Sequence, residues 1–310
     1  MVGYKANISI AKPNSEIIDI MLVLEKSFWP LIMKQPLFFQ RAKLSHKAVM
    51  IQCLDKYNKP IEHAYASGFI LKEIDGLYLY TSWHVVAGVD MHNLPATPKL
   101  ERVVLRISMI KSHEQEPSGG LSACVLNGLE SLDLPLYENE NTTLPLWCQD
   151  PIYEFNNEVI TVPDKHDAVK IKLPDSFHTS DIHIIEQDEL NKDLVFTGDR
   201  VYIVGYPYQF STRGENNPTP VVLTKFIAST SIKSRLFEFL IDGQGAPGMS
   251  GGPVFLERDN QIFLLGIYSG LIYTSGHENR NKEVGALSTC VNMSLCWAHD
   301  IAALRRPRTS

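Results

Sequence analysis

Ser250 lies in the stretch Asp242-Gly243-Gln244-Gly245-Ala246-Pro247-Gly248-Met249-Ser250-Gly251-Gly252-Pro253-Val254, with glycines on both sides. A serine hydroxyl is a poor nucleophile unless a base takes its proton and donors stabilise the oxyanion that its attack creates. Gly248 has no Cβ and can enter a strained turn that aims its own N–H and that of Ser250 at one point. Gly251 and Gly252 leave room for a substrate chain to lie close. The same residues also suit an ordinary Gly/Pro-rich hairpin that happens to contain a serine. A histidine and an acid in suitable settings elsewhere decide between the two.

Most of the ten histidines sit in polar or loop-like surroundings and read as surface residues, namely His46, His63, His92, His113, His178, His183, His277 and His299. His84 differs. It follows the apolar run Leu77-Tyr78-Leu79-Tyr80-Thr81 directly, in Thr81-Ser82-Trp83-His84-Val85-Val86. A strand ending there presents an imidazole at the rim of a β structure, where it can serve as general base to Ser250. The acid must accept from the other ring N–H, hold the tautomer and stabilise the imidazolium. Asp167 stands at the entrance of the alternating strand Ala168-Val169-Lys170-Ile171-Lys172-Leu173. Of its neighbours, Asp164 belongs to a Pro-Asp-Lys turn and Asp175 comes after Pro174 has ended the strand, so Asp167 is the candidate.

The elements that must position these three are short and β-like. Runs at 49–53, 67–71, 77–81, 103–110, 159–162 and 168–173 precede Asp199, and runs at 201–204, 221–228, 236–241, 254–256, 262–268 and 283–289 follow it. Many short strands with frequent turn residues predict barrels or a sandwich rather than βαβ units. Residues 111–158, rich in Glu, Asn, Ser and Pro, read as long loops. Two helices are predicted. One is N-terminal, with Ile17, Ile18, Met21, Leu22, Leu24 and Phe28 at helical spacing, and the other runs from Ser294 to Leu304.

With 310 residues and 44% hydrophobic content the chain can bury a sizeable core. A net charge of -6 disfavours nucleic acid or an anionic membrane as the main partner. Five scattered cysteines without a CxxC pair argue for reduced thiols, and neither a secretion signal nor a bilayer-spanning run is evident. The expected location is the cytoplasm.

Four segments in order resemble the trypsin/chymotrypsin clan, and most closely its disulfide-free bacterial branch, which includes the high-temperature-requirement proteases. They are Ser67-Gly68-Phe69-Ile70, Thr81-x-x-His84-Val85-Val86, Asp167-Ala168-Val169 and Asp242-x-x-x-x-Pro247-Gly248-x-Ser250-Gly251-Gly252-Pro253. The order His, Asp, Ser is that of the clan, and 83 residues separate His84 from Asp167 and another 83 separate Asp167 from Ser250. The resemblance covers roughly Ala48 to Leu304. It implies two six-stranded antiparallel β-barrels, the first over residues 46–185 with His84 and Asp167, the second over 186–310 with Ser250 and the C-terminal helix, preceded by a helical extension over 1–45. It also implies a serine endopeptidase with the triad Ser250, His84 and Asp167, and an oxyanion hole from the Gly248 and Ser250 N–H groups. Ser269-Gly270 would hold a protein or peptide substrate as an added strand, with no metal or organic cofactor.

Three departures from that pattern are informative. Val85 stands where secreted trypsins have a cysteine after the histidine, in keeping with a reducing compartment. Met249 replaces the aspartate that captures a new N-terminus in trypsin-type zymogens, so that activation route is not expected. Gln244, six residues before the serine, is neutral where trypsin's pocket carries an aspartate, which disfavours a preference for basic side chains. The 60 residues after Ser250 are taken up by strands and a helix, so no peptide-binding PDZ domain is expected. The alternatives are a protease fold used only for binding, and an enzyme that is latent until a regulatory partner or the N-terminal arm remodels its oxyanion loop.

Overall fold

The computed structural model describes residues 37–88, 104–115, 123–138, 144–148, 152–155, 158–161, 167–178, 182–191, 193–209, 220–230, 238–243, 245–271 and 288–292. The helices predicted near residues 17–28 and 294–304 lie outside them, as does Gln244.

Two curled antiparallel sheets make up the molecule. The first contains β1 (Val49–Leu54), β2 (Pro60–Glu73), β3 (Gly76–Thr81), β4 (Val104–Gln115), β5 (Ala123–Pro135), β6 (Trp147–Cys148) and β9 (Val169–Lys172), in the order β5-β4-β1-β2-β3-β9-β6. A separate hairpin joins β7 (Ile152–Phe155) to β8 (Glu158–Thr161). The second sheet closes on itself as a barrel of β10 (Arg200–Gly205), β11 (Val221–Ser229), β12 (Glu238–Ile241), β15 (Ser288–Asn292), β14 (Gln261–Leu271) and β13 (Pro253–Arg258).

The second half therefore has the six strands expected of it, whereas the first has seven in an open order. The difference comes from residues 111–158, expected to be loops. They extend β4 to Gln115 and supply β5, β6 and β7, while β8 falls on the run expected at 159–162 and pairs with β7 in a separate sheet. Ladder pairing is a backbone property, and the β4–β5 register continues from Val104↔Pro135, through the alternating Leu105, Ile107 and Met109, out to Gln115↔Ala123 along the polar residues 111–115 of β4.

The uninterrupted apolar run Phe69-Ile70-Leu71 in β2 is explained by burial on both faces. Ile70 points into the core of the first sheet beside Ile51, Leu79, Leu105 and Ile107. Phe69 and Leu71 point the other way, into a cluster with Tyr80, Ala168, Tyr206, Phe255 and Ile267 that joins the two halves. Val201, Ile203, Ile241, Val254, Leu256 and Leu265 fill the barrel. Burying each such side chain contributes about 1.5–3 kcal/mol, so the shared cluster holds the halves together as firmly as a domain core.

A helix at Leu37–Leu44, not expected from the sequence, precedes the first sheet. Arg41 Nη2 donates to Glu257 Oε2 on β13 at 2.7 Å, and Gln40 bonds the Asn260–Ile262 turn from both ends of its amide. Leu44 is buried in the cluster between the halves. His46, expected at the surface, is instead half-buried, with its ring centroid 5.2 Å from that of His183. Cys53 and Cys290 are buried, and Cys148 is half-buried. No helix among the described residues is long and apolar enough to cross a membrane.

Candidate active site

His84 and Asp167 meet because β3 and β9 pair in register. Thr81, the last residue of β3, lies opposite Val169, the first of β9. The chain just past Thr81 must then run beside the chain just before Val169. His84 sits three residues beyond Thr81, on a one-turn helix Trp83–Ala87 rather than on the strand itself. Trp83, Val85, Val86 and Ala87 are buried, and Gly88 ends the turn at φ +67°, a conformation suited to glycine. Anchored by its buried neighbours, the helix leaves the imidazole at the surface of the cleft, with 22% of the side chain accessible.

Asp167 is fully buried, and both of its oxygens are directed at His84. Oδ1 accepts from the His84 backbone N–H at 2.9 Å, and Oδ2 lies 2.8 Å from Nδ1. One carboxylate thus fixes both the backbone position and the ring orientation of the histidine. With Nδ1 as donor to Asp167, Nε2 is left as the acceptor.

The loop that carries Ser250 comes from the second barrel yet is bonded to the first sheet. The Ser67 N–H on β2 donates to the Ser250 carbonyl at 2.9 Å, and the Ser67 hydroxyl donates to the Gly248 carbonyl at 2.7 Å. Gly251 N–H donates to Tyr268 O at 2.7 Å, and the same carbonyl accepts from Ser82 Oγ at 3.2 Å, two residues before His84. A Cβ at Gly251, whose φ is +86°, would fall 2.1 Å from Thr81 Oγ1 and 2.9 Å from the Ser82 nitrogen. Glycine is therefore required where the Ser250 loop passes the start of the helix that carries His84.

Local sequence explains the turn before the serine. Ala246-Pro247-Gly248-Met249 closes through Met249 N–H to Ala246 O at 3.0 Å, with Gly248 at φ +95°. Proline second and a positive-φ glycine third are what a type II turn requires. The Pro247 carbonyl accepts from Tyr208 N–H at 2.8 Å. In a planar trans peptide the N–H points opposite to the carbonyl, so that bond turns the Gly248 N–H the other way. Met249 N–H and Gly251 N–H are taken within the loop and by Tyr268, whereas the N–H groups of Gly248 and Ser250 have no acceptor among the described residues. The two donors predicted to form an oxyanion hole are the ones left open.

The remaining predicted site residues fare unevenly. Ser269 is fully buried on β14 with its hydroxyl lacking a partner among the described residues, and Gly270, at φ +128°, pairs with Thr289 of β15. Asp242 is engaged with β11, accepting from Phe226 N–H through Oδ1 at 2.7 Å. The Tyr268 hydroxyl accepts from Gly245 N–H at 3.0 Å, which puts a phenol directly against the loop ahead of the turn. Sequence reasoning missed the parts played by Ser67, Thr81, Ser82, Tyr208 and Tyr268. Only the Ser67-Gly68 pair gave a signal, and it did not reveal what the hydroxyl does. No protein-family model matches the sequence, and no curated protein matches it significantly.

Proposed function

We propose that the chain is a serine endopeptidase of the trypsin/chymotrypsin type, with Ser250 as nucleophile, His84 as general base and acid, and Asp167 as the group that orients His84. The observation that carries this reading is the fully buried Asp167 carboxylate bonded twice to His84. A structural aspartate needs no partly accessible histidine as its partner. In support, the Ser250 loop is seated against Ser82, at the start of the histidine's helix, and keeps two N–H groups open.

In this mechanism Ser250 Oγ attacks the scissile carbonyl carbon as Nε2 of His84 takes the hydroxyl proton. The carbonyl π pair moves to oxygen, and the oxyanion is held by the N–H groups of Gly248 and Ser250. Asp167 stabilises the imidazolium without taking its proton. Collapse of the intermediate breaks the C–N bond, and His84 returns the proton to the departing amine. Water then repeats the sequence on the acyl-enzyme, freeing the acid product and regenerating Ser250. The β14 segment Ser269-Gly270 would align the substrate backbone as an extra strand.

A fluorophosphonate probe tests the reading directly, because it labels only a serine that is activated as a nucleophile. Labelling should map to Ser250 and be lost in both Ser250→Ala and His84→Ala, while the thermal unfolding midpoint of each variant stays near that of the parent. A parent protein that remains unlabelled, or a His84→Ala variant that labels at the parent rate, refutes the assignment.

A further inference from the structure

Ser67 does more than line the interface between the two halves, and every polar group it owns is used. Its hydroxyl donates to the Gly248 carbonyl at 2.7 Å and accepts from Tyr206 N–H at 2.9 Å. Its N–H donates to the Ser250 carbonyl at 2.9 Å, and its own carbonyl accepts from Thr81 Oγ1 at 2.8 Å. The residue is fully buried. Its Oγ is also the one side-chain group bonded to the backbone of residues 247–250 among the described residues.

These contacts fall on the 248–249 and 250–251 peptides, on either side of the 249–250 peptide that carries the Ser250 N–H. The carbonyl of residue 248 sets ψ of Gly248, and the carbonyl of residue 250 sets ψ of Ser250. At φ +95° and without a Cβ, Gly248 has little intrinsic preference to keep that ψ. Hydrogen bonds to its flanking carbonyls must therefore hold the turn. Tyr208 N–H holds one of those carbonyls, and Ser67 Oγ holds the other. Tyr206 and Tyr208 belong to one short stretch after β10, so Ser67 and this stretch grip the turn from both sides. Through Thr81 the same residue is tied to the strand end that leads into His84.

We infer that Ser67 is a positioning residue for catalysis, whose hydroxyl fixes the turn that carries the Gly248 and Ser250 N–H groups. This rests on the peptidase reading above. Ser67 touches no reacting atom. Its loss should loosen the donors rather than delete one, so the effect should be smaller than the roughly 10²–10³-fold seen when a single oxyanion donor is removed.

The test compares the full-length parent with Ser67→Ala and Ser67→Cys, the latter keeping the volume and a weaker hydrogen-bonding γ-atom. Two quantities are read: the rate of Ser250 labelling by a fluorophosphonate, and the affinity for a peptide carboxamide that has no electrophile. For Ser67→Ala the labelling rate should fall about tenfold to hundredfold, with carboxamide affinity changed less than twofold. Ser67→Cys should lie in between, and it carries the test if the alanine variant does not fold. A folded variant labelled at the parent rate overturns this proposal alone. Equal losses in labelling and in carboxamide affinity also overturn it, since they mark a residue that only shapes the cleft. An unlabelled parent overturns the peptidase reading and this proposal together.

Discussion

Replacing Asp167 by asparagine changes one atom, and the geometry dictates what that atom does. The His84 backbone N–H lies 2.9 Å from Oδ1, so the asparagine carbonyl oxygen must face it, because an NH2 group there would set donor against donor. The NH2 group is then forced toward Nδ1, where Oδ2 now sits at 2.8 Å. A donor facing Nδ1 obliges that nitrogen to accept, which moves the ring proton to Nε2, the nitrogen that should receive the proton of Ser250. The corresponding exchange in a Ser-His-Asp triad costs about 10⁴ in kcat, or about 5.4 kcal/mol of barrier. The near-isosteric side chain keeps the backbone bond, so the fold should lose no more than about 1–3 kcal/mol. Initial rates on a chromogenic peptide ester, alongside urea unfolding of the same preparation, separate the two effects. An Asp167→Asn variant retaining more than a tenth of parental kcat would refute the argument that Asp167 controls the tautomer.

Further predictions follow from other parts of the molecule. Gly248→Ala should abolish turnover and lower stability by about 1–3 kcal/mol in urea, because φ is +95° and a Cβ would meet Tyr206 O at 2.5 Å and the Tyr65 ring at 2.9 Å. Lys170 and Glu73 form a buried ion pair at 2.8 Å, so Lys170→Met alone should cost about 3–5 kcal/mol. Pairing it with Glu73→Leu and Tyr80→Phe, which also removes the buried hydroxyl that Glu73 accepts from, should recover most of that loss, and no recovery in the triple variant would count against the reasoning. Burial first, then His183 and Lys43, push the His46 ring down to about 4 from 6.5. The unfolded chain therefore binds the extra proton first as pH falls below about 6.5, and stability should drop between there and pH 4. Allowing for solvent screening at a half-exposed site, the drop is about 1–2 kcal/mol, and His46→Asn should flatten that part of the urea-midpoint profile.

The candidate site was more legible in the sequence than the architecture around it. His84 and Asp167 stood out because each adjoins a strand whose apolar pattern is strong, and burial on one or both faces is what writes such a pattern. The stretch from 111 to 158 was misread for another reason. Its β5 half carries a strand signal, Leu132 and Leu134 alternating with Ser131 and Asp133, that the polar composition of the stretch masked, while residues 111–115 of β4 pair through their backbone without one. Gly248 could be read as a backbone device, whereas the space at Gly251 and Gly252, expected for a substrate chain, is filled by Thr81, Ser67 and Val204 of the protein itself. The bonds made by Ser67, Ser82 and Tyr208 could not be read, since serine and tyrosine occur in any strand or loop and their partners lie far away in sequence.

The nucleophile loop hangs on a strand from the opposite half of the polypeptide, with consequences for when the protein becomes competent. Folding of the C-terminal barrel alone leaves the carbonyls of residues 248 and 250 without Ser67, so that half holds the turn only by the Tyr208 and Met249 N–H bonds. The N-terminal sheet alone has an oriented imidazole but not the Ser250 loop. Under the proposed mechanism, catalysis would report the final docking event rather than the completion of either part. In a refolding time course, strand signals should be regained ahead of reactivity toward an active-site label. A ribosome-bound chain that has not yet delivered its second barrel should be harmless to its neighbours.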